Sequence, residues 1–243
     1  MIEKVLVIPD IHLKPNMIIL AESIMQDKKE QIDAAVCLGD IPDDWNQQGN
    51  LTLYNETFYA LQRRLIEKYP CYYCLGNHEA SYIWNKQESG KSSVAGLCVW
   101  SWISDLRRKL GDSMGFAFKI NNVIFTHAGI TSAFVDRLFL GGNRTDDELI
   151  NRINESGADI LWRDDGPLWV RPDSALFEPY SLKYLQVVGH TPIAQPLLVK
   201  DRFLLCDTFS TYCDGRNIGS CEFIIVNTVD QTWSTIRADD IKI

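Results

Sequence analysis

The sequence predicts an α/β fold in which two packed, mixed β-sheets are flanked by helices. Three observations predict it. Strand-like and helix-like segments alternate over the first third of the chain, strand-like segments dominate the last third, and each of the first three strands ends on a polar residue. Such alternation is typical of βαβ units with a parallel sheet, and the β-rich remainder predicts a second sheet packed on the first.

The first half contains three predicted strands with a helix between each pair. The strands are short apolar runs, and the helices carry apolar residues at helical spacing, for example Phe58, Leu61 and Leu65. The predicted strands are 4–10, 34–40 and 71–77, and the predicted helices are 16–30 and 51–69. A tryptophan-rich stretch predicts a further helix over 93–111.

The second half begins with a predicted β-hairpin over 116–129 that turns at Asn121 and Asn122. Two helices are predicted around 131–139 and 145–155. Five strand-like segments complete the chain, at 184–189, 196–200, 203–207, 221–227 and 232–237.

The 243 residues contain no internal repeat, low-complexity run or linker, which predicts one domain over residues 1–243. No apolar run approaches the roughly 20 residues of a membrane-spanning helix, and the first residues do not resemble a secretory signal. The seven cysteines, an odd number, fit reduced thiols. We therefore expect a cytoplasmic protein that does not contact a membrane.

The formal net charge of −8 argues against a nucleic acid partner, because a sequence-independent grip on phosphates needs a basic surface. The negative net charge does not exclude anionic substrates, since bound divalent cations reverse the charge of a site locally. Part of the acidic excess is therefore expected to ligate metal.

Polar residues follow the first three strands at Asp10, Asp40 and Asn77. In open α/β sheets, ligands bind beyond the carboxyl ends of the strands, so three adjacent strands would deliver three oxygen ligands to one crevice. Any one of the three, taken alone, is better explained as a helix N-cap or a turn residue.

All four histidines lie at strand ends as well, which favours a metal site. They are His12 in "DIH", His78 in "GNHE", His127 in "THAG" and His190 in "GHTP". A single histidine is usually a hydrogen-bonded structural residue, but that explanation is weak for four at once. Imidazole, carboxylate and amide ligands together suit manganese, iron, zinc or nickel rather than calcium. The ligands are too many for one ion and predict two ions that share a bridging carboxylate.

The motifs D-x-H, GD, GNHE, HAG and GHTP, in this order between residues 10 and 192, resemble those of the calcineurin-like metallophosphoesterases. With its proline, the GHTP motif is similar to that of the phosphoprotein phosphatase branch. The motif pattern also looks like that of the small bacterial and phage protein phosphatases and of the diadenosine tetraphosphatases. The resemblance implies a two-sheet sandwich with a dinuclear site at the strand ends. It implies that Asp10 and His12 hold the first metal, that Asp40 bridges both, and that Asn77, His127 and His190 hold the second.

The resemblance also implies the catalytic groups. His78 would act as general acid toward the leaving oxygen, and Asp43 would orient its ring. Two divalent ions neutralise the substrate and lower the pKa of a bridging water, so the expected nucleophile is a metal-bridging hydroxide that attacks in line, without a phosphoenzyme. A positioned imidazole then supplies the leaving group with its proton. Glu79 is expected to brace the loop through hydrogen bonds.

The sequence departs from the family pattern in two places. The second motif, "GD-x-x-DRG" in the family, is "GDIPDDW" here, so Asp44 replaces an arginine that clamps phosphate, and Leu13 replaces the glycine of "DIHG". An arginine of "ILWRDDGPLWVRP" is expected to compensate for the lost clamp. Arg163, directly after a tryptophan, is the first candidate and Arg171 the second, although a surface ion pair with a neighbouring aspartate explains Arg163 equally well.

The predicted activity is phosphomonoester hydrolysis on a phosphoprotein or a small phosphorylated molecule. Manganese is the expected metal, with iron, zinc and nickel as alternatives. Cleavage of a nucleotide phosphoanhydride, such as a dinucleoside polyphosphate, is a close alternative. A nuclease is disfavoured by the acidic balance and by Pro192 in place of a second histidine. A non-catalytic scaffold is disfavoured because every ligand position and His78 are intact.

Overall fold

The structure is a computed structural model that describes residues 2–140, 142 and 144–241. Within these residues, strands form two mixed sheets. The strands are β1 (Lys4–Ile8), β2 (Ala34–Cys37), β3 (Cys71–Cys74), β4 (Met114–Gly115), β5 (Ala117–Ile120), β6 (Val123–Thr126), β7 (Leu185–Val188), β8 (Leu197–Val199), β9 (Phe203–Leu205), β10 (Glu222–Asn227) and β11 (Trp233–Arg237).

Helices connect the strands. They are α1 (Pro15–Gln26), α2 (Leu51–Leu61), α3 (Asn77–Ile83), α4 (Gly96–Leu110), α5 (Ser132–Phe139), α6 (Asp146–Glu155) and α7 (Ala158–Leu161). Proline opens α1, where its fixed φ suits the first turn. Thr145 and Glu148 form a capping box at the start of α6, which satisfies two backbone N–H groups that the helix itself leaves unpaired. A π-helical turn, Gln62–Ile66, continues α2.

The first sheet has the strand order β11-β10-β1-β2-β3-β4, in which β1 to β4 run parallel and β10 and β11 are antiparallel to their neighbours. The second sheet has the order β5-β6-β7-β9-β8, in which β6, β7 and β9 are parallel and the two edge strands antiparallel. The central strands of each sheet are parallel, so their carboxyl ends lie along one edge of that sheet.

The core lies in two layers, and β1 shows how its side chains divide between them. Val5 and Val7 belong to a buried cluster that draws on both sheets and includes Phe125 of β6. Leu6 and Ile8 face the other way and belong to the cluster that includes α1 and α2. Successive side chains of a strand point to opposite faces, so one apolar run serves both the sheet-to-sheet contact and the helix-to-sheet contact.

The predicted fold class of two mixed sheets flanked by helices is confirmed. The hairpin of β5 and β6 also forms, with Asn121 and Asn122 as its two-residue connection. The strands of the last third do not all enter the second sheet, however, because β10 pairs with β1 and carries β11 with it.

The predicted element bounds were wrong at several ends. The strand predicted to reach 77 ends at Cys74, and Asn77 opens the seven-residue helix α3. A helix this short has too few turns for its apolar spacing to be recognised in the sequence. The helix predicted over 16–30 ends at Gln26. Within the described part of the chain, no helix combines the length and apolar character needed to cross a membrane.

Candidate metal centre

Five strands end at the same edge of the two-sheet core, and the predicted ligands follow those ends. Asp10 comes two residues after β1, and Asp40 three residues after β2. Asn77 is the first residue of α3, directly beyond β3. His127 follows β6 at once and His190 follows β7 by two residues. The parallel pairing of these strands within each sheet is what brings residues from such distant parts of the chain to one place.

Two groups of candidate ligands share one carboxylate. Asp10, His12 and Asp40 each offer one ligand atom, and these atoms lie within 4.8 Å of one another. Asp40, His127 and His190 form a second group by the same measure. A carboxylate common to two adjacent groups is the arrangement that a pair of divalent ions requires.

Asn77 completes the second group. Its Oδ1 lies 2.7 Å from His127 Nε2 and 3.0 Å from His190 Nδ1. Those two ring nitrogens are 3.1 Å apart, and His127 Nε2 is 3.3 Å from Asp40 Oδ2. Amide, carboxylate and imidazole ligand atoms therefore converge on one buried point, which is a ligand set suited to manganese, iron, zinc or nickel.

The charge around this point favours a bound cation. Burial disfavours the protonated form of His127, but the negative charges of Asp40 and Asp10 outweigh burial and raise its pKa to about 9. The protein around the cluster thus stabilises positive charge at the ring, which a metal ion would supply in place of the proton. The residues present fit a divalent metal site.

Hydrogen bonds outside the cluster orient the ligands. His127 Nδ1 donates to the Leu38 carbonyl at 2.8 Å, and His12 Nδ1 donates to the Asp43 carbonyl at 2.9 Å. Each bond leaves Nε2 as the ring nitrogen available for a metal. The backbone N–H of His190 donates to the Asp10 carboxylate at 2.9 Å, which fixes that side chain from the opposite sheet.

The backbone at the cluster adopts conformations that are rare for residues with a side chain. The φ angles are +42° at His12, +48° at Asp40, +67° at Asp43 and +63° at His190. Left-handed backbone at a residue other than glycine is costly and concentrates at functional sites. Four of the 14 described non-glycine residues with positive φ lie at this one cluster, which agrees with a functional role for it.

Two glycines allow the backbone to approach the carboxylates. A Cβ at Gly76 would collide with the Asp40 carboxylate, and a Cβ at Gly189 would collide with that of Asp10. The glycines of "GNHE" and "GHTP" therefore serve the packing of the carboxylates rather than the chemistry.

Glu79 is fully buried and holds the surrounding loops together. Its carboxylate accepts hydrogen bonds from the backbone N–H groups of Asp40 at 3.0 Å, Ile41 at 2.8 Å and Gly76 at 2.9 Å. The Tyr73 hydroxyl donates a fourth bond at 2.7 Å. This network ties the loop after β2 to the loop after β3, which is the bracing role expected of Glu79.

His78 and Asp43 form a pair beside the cluster. His78 Nδ1 donates to Asp43 Oδ2 at 2.9 Å, and the His78 backbone N–H donates to Asp40 Oδ1 at 2.9 Å. Burial disfavours the His78 imidazolium, but the charge of Asp40 and the hydrogen bond to Asp43 outweigh burial and raise its pKa to about 10. The surroundings of His78 thus favour its protonated form.

Three residues that carry no recognisable sequence signal hold Asp43 in place. The Tyr82 hydroxyl donates to Asp43 Oδ1 at 2.7 Å, the Ser92 backbone N–H donates to the same atom at 3.1 Å, and the Tyr54 hydroxyl donates there as well. Tyr54 and Tyr82 lie on different helices, and no motif or spacing links them to Asp43, so only the tertiary structure could reveal this contact.

A cavity of about 530 Å³ opens onto the cluster. Six residues of the predicted site line this cavity, namely His12, Asp40, Asp43, Asn77, His78 and His190. Its remaining lining includes Trp45, Glu88, Arg171, Pro192, Tyr212 and Ile218. The site is therefore open to a substrate, with apolar and acidic side chains beside one arginine.

The structure separates the two candidate phosphate-binding arginines. Arg171 lines the cavity, and its guanidinium donates to the His190 carbonyl at 3.3 Å. Arg163 lies in a different depression, together with Asp164 and Arg137. The sequence made Arg163 the first candidate, but the structure places Arg171, and not Arg163, at the cavity that opens onto the cluster. The chain between the two arginines contains a tight turn, in which the Gly166 N–H donates to the Arg163 carbonyl at 2.9 Å. The position of Arg163 directly after a tryptophan therefore did not indicate which of the two arginines lies at the cavity.

Asp44 stands where the family pattern has an arginine, and it is engaged in an ion pair. Its carboxylate lies 3.3 Å from Lys14 Nζ, and its other oxygen accepts from Thr211 Oγ1 at 3.4 Å. Leu13, the other departure from the pattern, is buried in the core. Lys14 thus neutralises the Asp44 carboxylate but does not replace the missing arginine as a lining residue of the cavity.

Comparisons with known proteins agree with this arrangement. The sequence matches the model of the calcineurin-like phosphoesterase family over residues 3–212, a span that contains every residue of the cluster. No curated protein matches the chain significantly by sequence.

Two solved structures show a similar fold. One is the cold-active protein-tyrosine phosphatase of a psychrophile, Shewanella sp., with 20% identity and a TM-score of 0.59, over 98% of this chain and 81% of the other. The second is a protein serine/threonine phosphatase from Saccharomyces cerevisiae with similarity to human phosphatase PP5, with 17% identity and a TM-score of 0.57, over 93% of this chain and 73% of the other. With the family match over most of its length and this fold around a cluster of metal-ligand residues, the chain belongs to the calcineurin-like phosphoesterases and is a phosphoric ester hydrolase of the metallophosphoesterase type.

Proposed function

We propose that the protein hydrolyses phosphomonoesters, carried by a phosphoprotein or by a small phosphorylated molecule, with two divalent cations of which manganese suits the ligands best. One observation supports this proposal above the others. The His78–Asp43 pair stands directly beside Asp40, the carboxylate that both ligand groups share, and all three line one cavity.

The candidate ligands divide into two sets. Asp10, His12 and Asp40 would hold one cation, and Asp40 with Asn77, His127 and His190 would hold the other. When bound, the cations would neutralise the phosphate and lower the pKa of a water molecule at the site. The imidazoles of His12 and His127 suit the role of ligand because each has its Nδ1 committed to a backbone carbonyl.

His78 would donate a proton to the leaving oxygen. Its Nδ1 is held by Asp43, so Nε2 is the atom that would transfer the proton, and the raised pKa keeps the ring protonated before the reaction. Asp43 would act as a positioning residue, because its contacts with Tyr54 and Tyr82 restrict the direction in which His78 points.

The charge of the cavity favours a monoester over a nucleotide phosphoanhydride. Arg171 stands among lining residues that include Glu88 and Asp44, and Asp44 is paired with Lys14. One arginine suits one phosphoryl group, whereas a chain of phosphates would meet the carboxylate of Glu88. The lining thus supports the proposed substrate class over the dinucleoside polyphosphates.

The decisive experiment is hydrolysis of p-nitrophenyl phosphate, phosphopeptides, mononucleotides and dinucleoside polyphosphates by the purified protein. We expect phosphomonoester turnover in the presence of manganese, loss of turnover on addition of a chelator, and recovery when excess manganese is restored. A higher kcat/KM for dinucleoside polyphosphates than for every monoester would favour the anhydride alternative. Metal-independent turnover, or none with any monoester, would contradict the proposal.

Arg171→Ala is expected to raise KM for phosphomonoesters by about tenfold, which corresponds to the loss of one charge-assisted contact of about 1.4 kcal/mol. We expect kcat to change less, because Arg171 binds phosphate in the ground state as well as in the transition state. Steady-state kinetics on p-nitrophenyl phosphate measure both constants. The matched control is Arg163→Ala, which should leave both unchanged. The reverse result would assign the phosphate contact to Arg163.

We also propose that the protein works in the cytoplasm. All seven cysteines are free thiols, and Cys37, Cys74 and Cys206 are buried, which suits a reducing compartment.

A further inference from the structure

Two loops meet at the rim of the cavity. One follows β2 and contains residues 44–46, and the other follows β9 and contains residues 211–213. Thr211 Oγ1 donates to Asp44 Oδ1 at 3.4 Å, and Asn46 Nδ2 donates to the Cys213 carbonyl at 2.8 Å. The residues on either side of Trp45 are therefore bonded to the residues on either side of Tyr212, which holds the two aromatic residues on adjacent segments of the rim.

Both aromatic side chains are half-exposed although both line the catalytic cavity. Trp45 is 47% exposed and Tyr212 is 50% exposed. Arg216 lies over the Tyr212 ring, with its guanidinium carbon 5.5 Å from the ring centroid, and so covers one side of it. Among the described residues, Trp45 and Tyr212 make no ring–ring contact with each other. Both side chains keep accessible surface at the same cavity, which a planar group of the substrate can contact.

The other lining residues define what that group would be. Pro192 and Ile218 add apolar surface to the same cavity, whereas Glu88 contributes a carboxylate. One oxygen of Glu88 is buried without a hydrogen-bond partner among the described residues. The Glu88 carboxylate disfavours a second phosphate in this part of the cavity, and the apolar surface of Pro192 and Ile218 favours an uncharged group beside it.

We infer that Trp45 and Tyr212 bind a flat, apolar ring in the leaving group of the phosphoester, so that the substrate class is phosphomonoesters of alcohols or phenols that carry an aromatic ring. This inference rests on the proposed function, because it places the ring next to a phosphoryl group at the metal cluster. Aromatic rings pack edge to face or with offset stacking, and the accessible surfaces of a tryptophan and a tyrosine at one cavity suit such contacts.

The test compares benzyl phosphate with ethyl phosphate in the manganese-loaded protein. Both leaving groups are primary alkoxides, so the ring is the main difference between them. We expect the wild-type protein to prefer benzyl phosphate in kcat/KM. Trp45→Ala and Tyr212→Leu should each lower the ratio of the two kcat/KM values by about fivefold or more, and Trp45→Phe should retain most of the preference.

Two exposed aromatic residues outside the cavity provide matched controls. Tyr59 is 63% exposed and has Arg63 over its ring at 5.5 Å, the same arrangement as Tyr212 and Arg216. Trp233 is 37% exposed on the edge strand β11. Tyr59→Ala and Trp233→Ala should leave the benzyl-to-ethyl ratio unchanged, and thermal unfolding would establish that every variant is folded.

A benzyl-to-ethyl ratio that is unchanged in folded Trp45→Ala and Tyr212→Leu would overturn the inference and leave the phosphatase proposal standing. Failure of the wild-type protein to hydrolyse either ester would instead count against the proposed function. In that case, calorimetric binding of benzylphosphonate and ethylphosphonate to the manganese-loaded protein tests the ring site without turnover. Equal affinities would overturn the inference, and tighter binding of benzylphosphonate that is lost in Trp45→Ala would support it.

Discussion

Asp40→Asn is expected to lower kcat/KM for phosphomonoesters by roughly 10³-fold or more, equivalent to about 4 kcal/mol of transition-state stabilisation. Asp40 is the carboxylate that both ligand groups share, so a neutral amide at this position weakens both candidate metal sites at once. It also removes the negative charge that raises the pKa values of His78 and His127. Kinetics on p-nitrophenyl phosphate with manganese, together with elemental analysis of bound metal, measure the two effects.

The matched control is Asp105→Asn, because Asp105 is a half-exposed aspartate on α4 whose side chain pairs with Arg108. It should retain both metal content and turnover. An Asp40→Asn variant that is folded, retains its metal and turns over at the wild-type rate would refute the dinuclear site built around this carboxylate.

His78→Ala is expected to lower kcat by about 10²- to 10⁴-fold on alkyl phosphates, the range for loss of a positioned general acid. The loss should be smaller on p-nitrophenyl phosphate, because nitrophenolate is a weak base and leaves without a proton. We expect proton transfer rather than metal binding from this residue, since His78 belongs to neither of the two ligand groups and its ring pairs with the Asp43 carboxylate. Parallel kinetics on ethyl phosphate and p-nitrophenyl phosphate measure the difference.

Asp43→Asn separates orientation from proton transfer at His78. An amide retains a hydrogen-bond acceptor for the ring but loses the charge, so kcat on alkyl phosphates should fall less than in His78→Ala. An equal loss on both substrates in His78→Ala would argue against proton donation and for a role of His78 in binding the phosphate. No loss on either substrate would remove His78 from the mechanism.

The motifs made the candidate ligands recognisable because each one is local. Asp10 lies two residues from His12, Asn77 lies next to His78, and each of these pairs follows a short apolar run that predicts a strand. Strand ends are recognisable from a few consecutive residues, and the alternation of strands with helices indicates parallel pairing. The convergence of these side chains could therefore be expected from the sequence.

The environment of the His78–Asp43 pair was not predictable in the same way. Tyr54 and Tyr82 reach Asp43 from positions 11 and 39 residues away along the chain, and both also belong to the buried core cluster beneath the helices. A tyrosine in a helical sequence normally indicates a residue that packs in the core. The residues adjacent to it in sequence do not show whether its hydroxyl also hydrogen-bonds to a distant carboxylate.

The sequence by itself determined the fold class, the hairpin at Asn121 and the identity and order of the candidate ligands, because periodicity, turn residues and strand-end motifs are short-range signals. The tertiary structure alone decided that Arg171 rather than Arg163 reaches the cavity, and that Trp45 and Tyr212 line it together on segments that are 167 residues apart and joined by hydrogen bonds. Side-chain direction in loops depends on which distant segment packs against them, and that information is spread over the whole fold rather than held in any local stretch of residues.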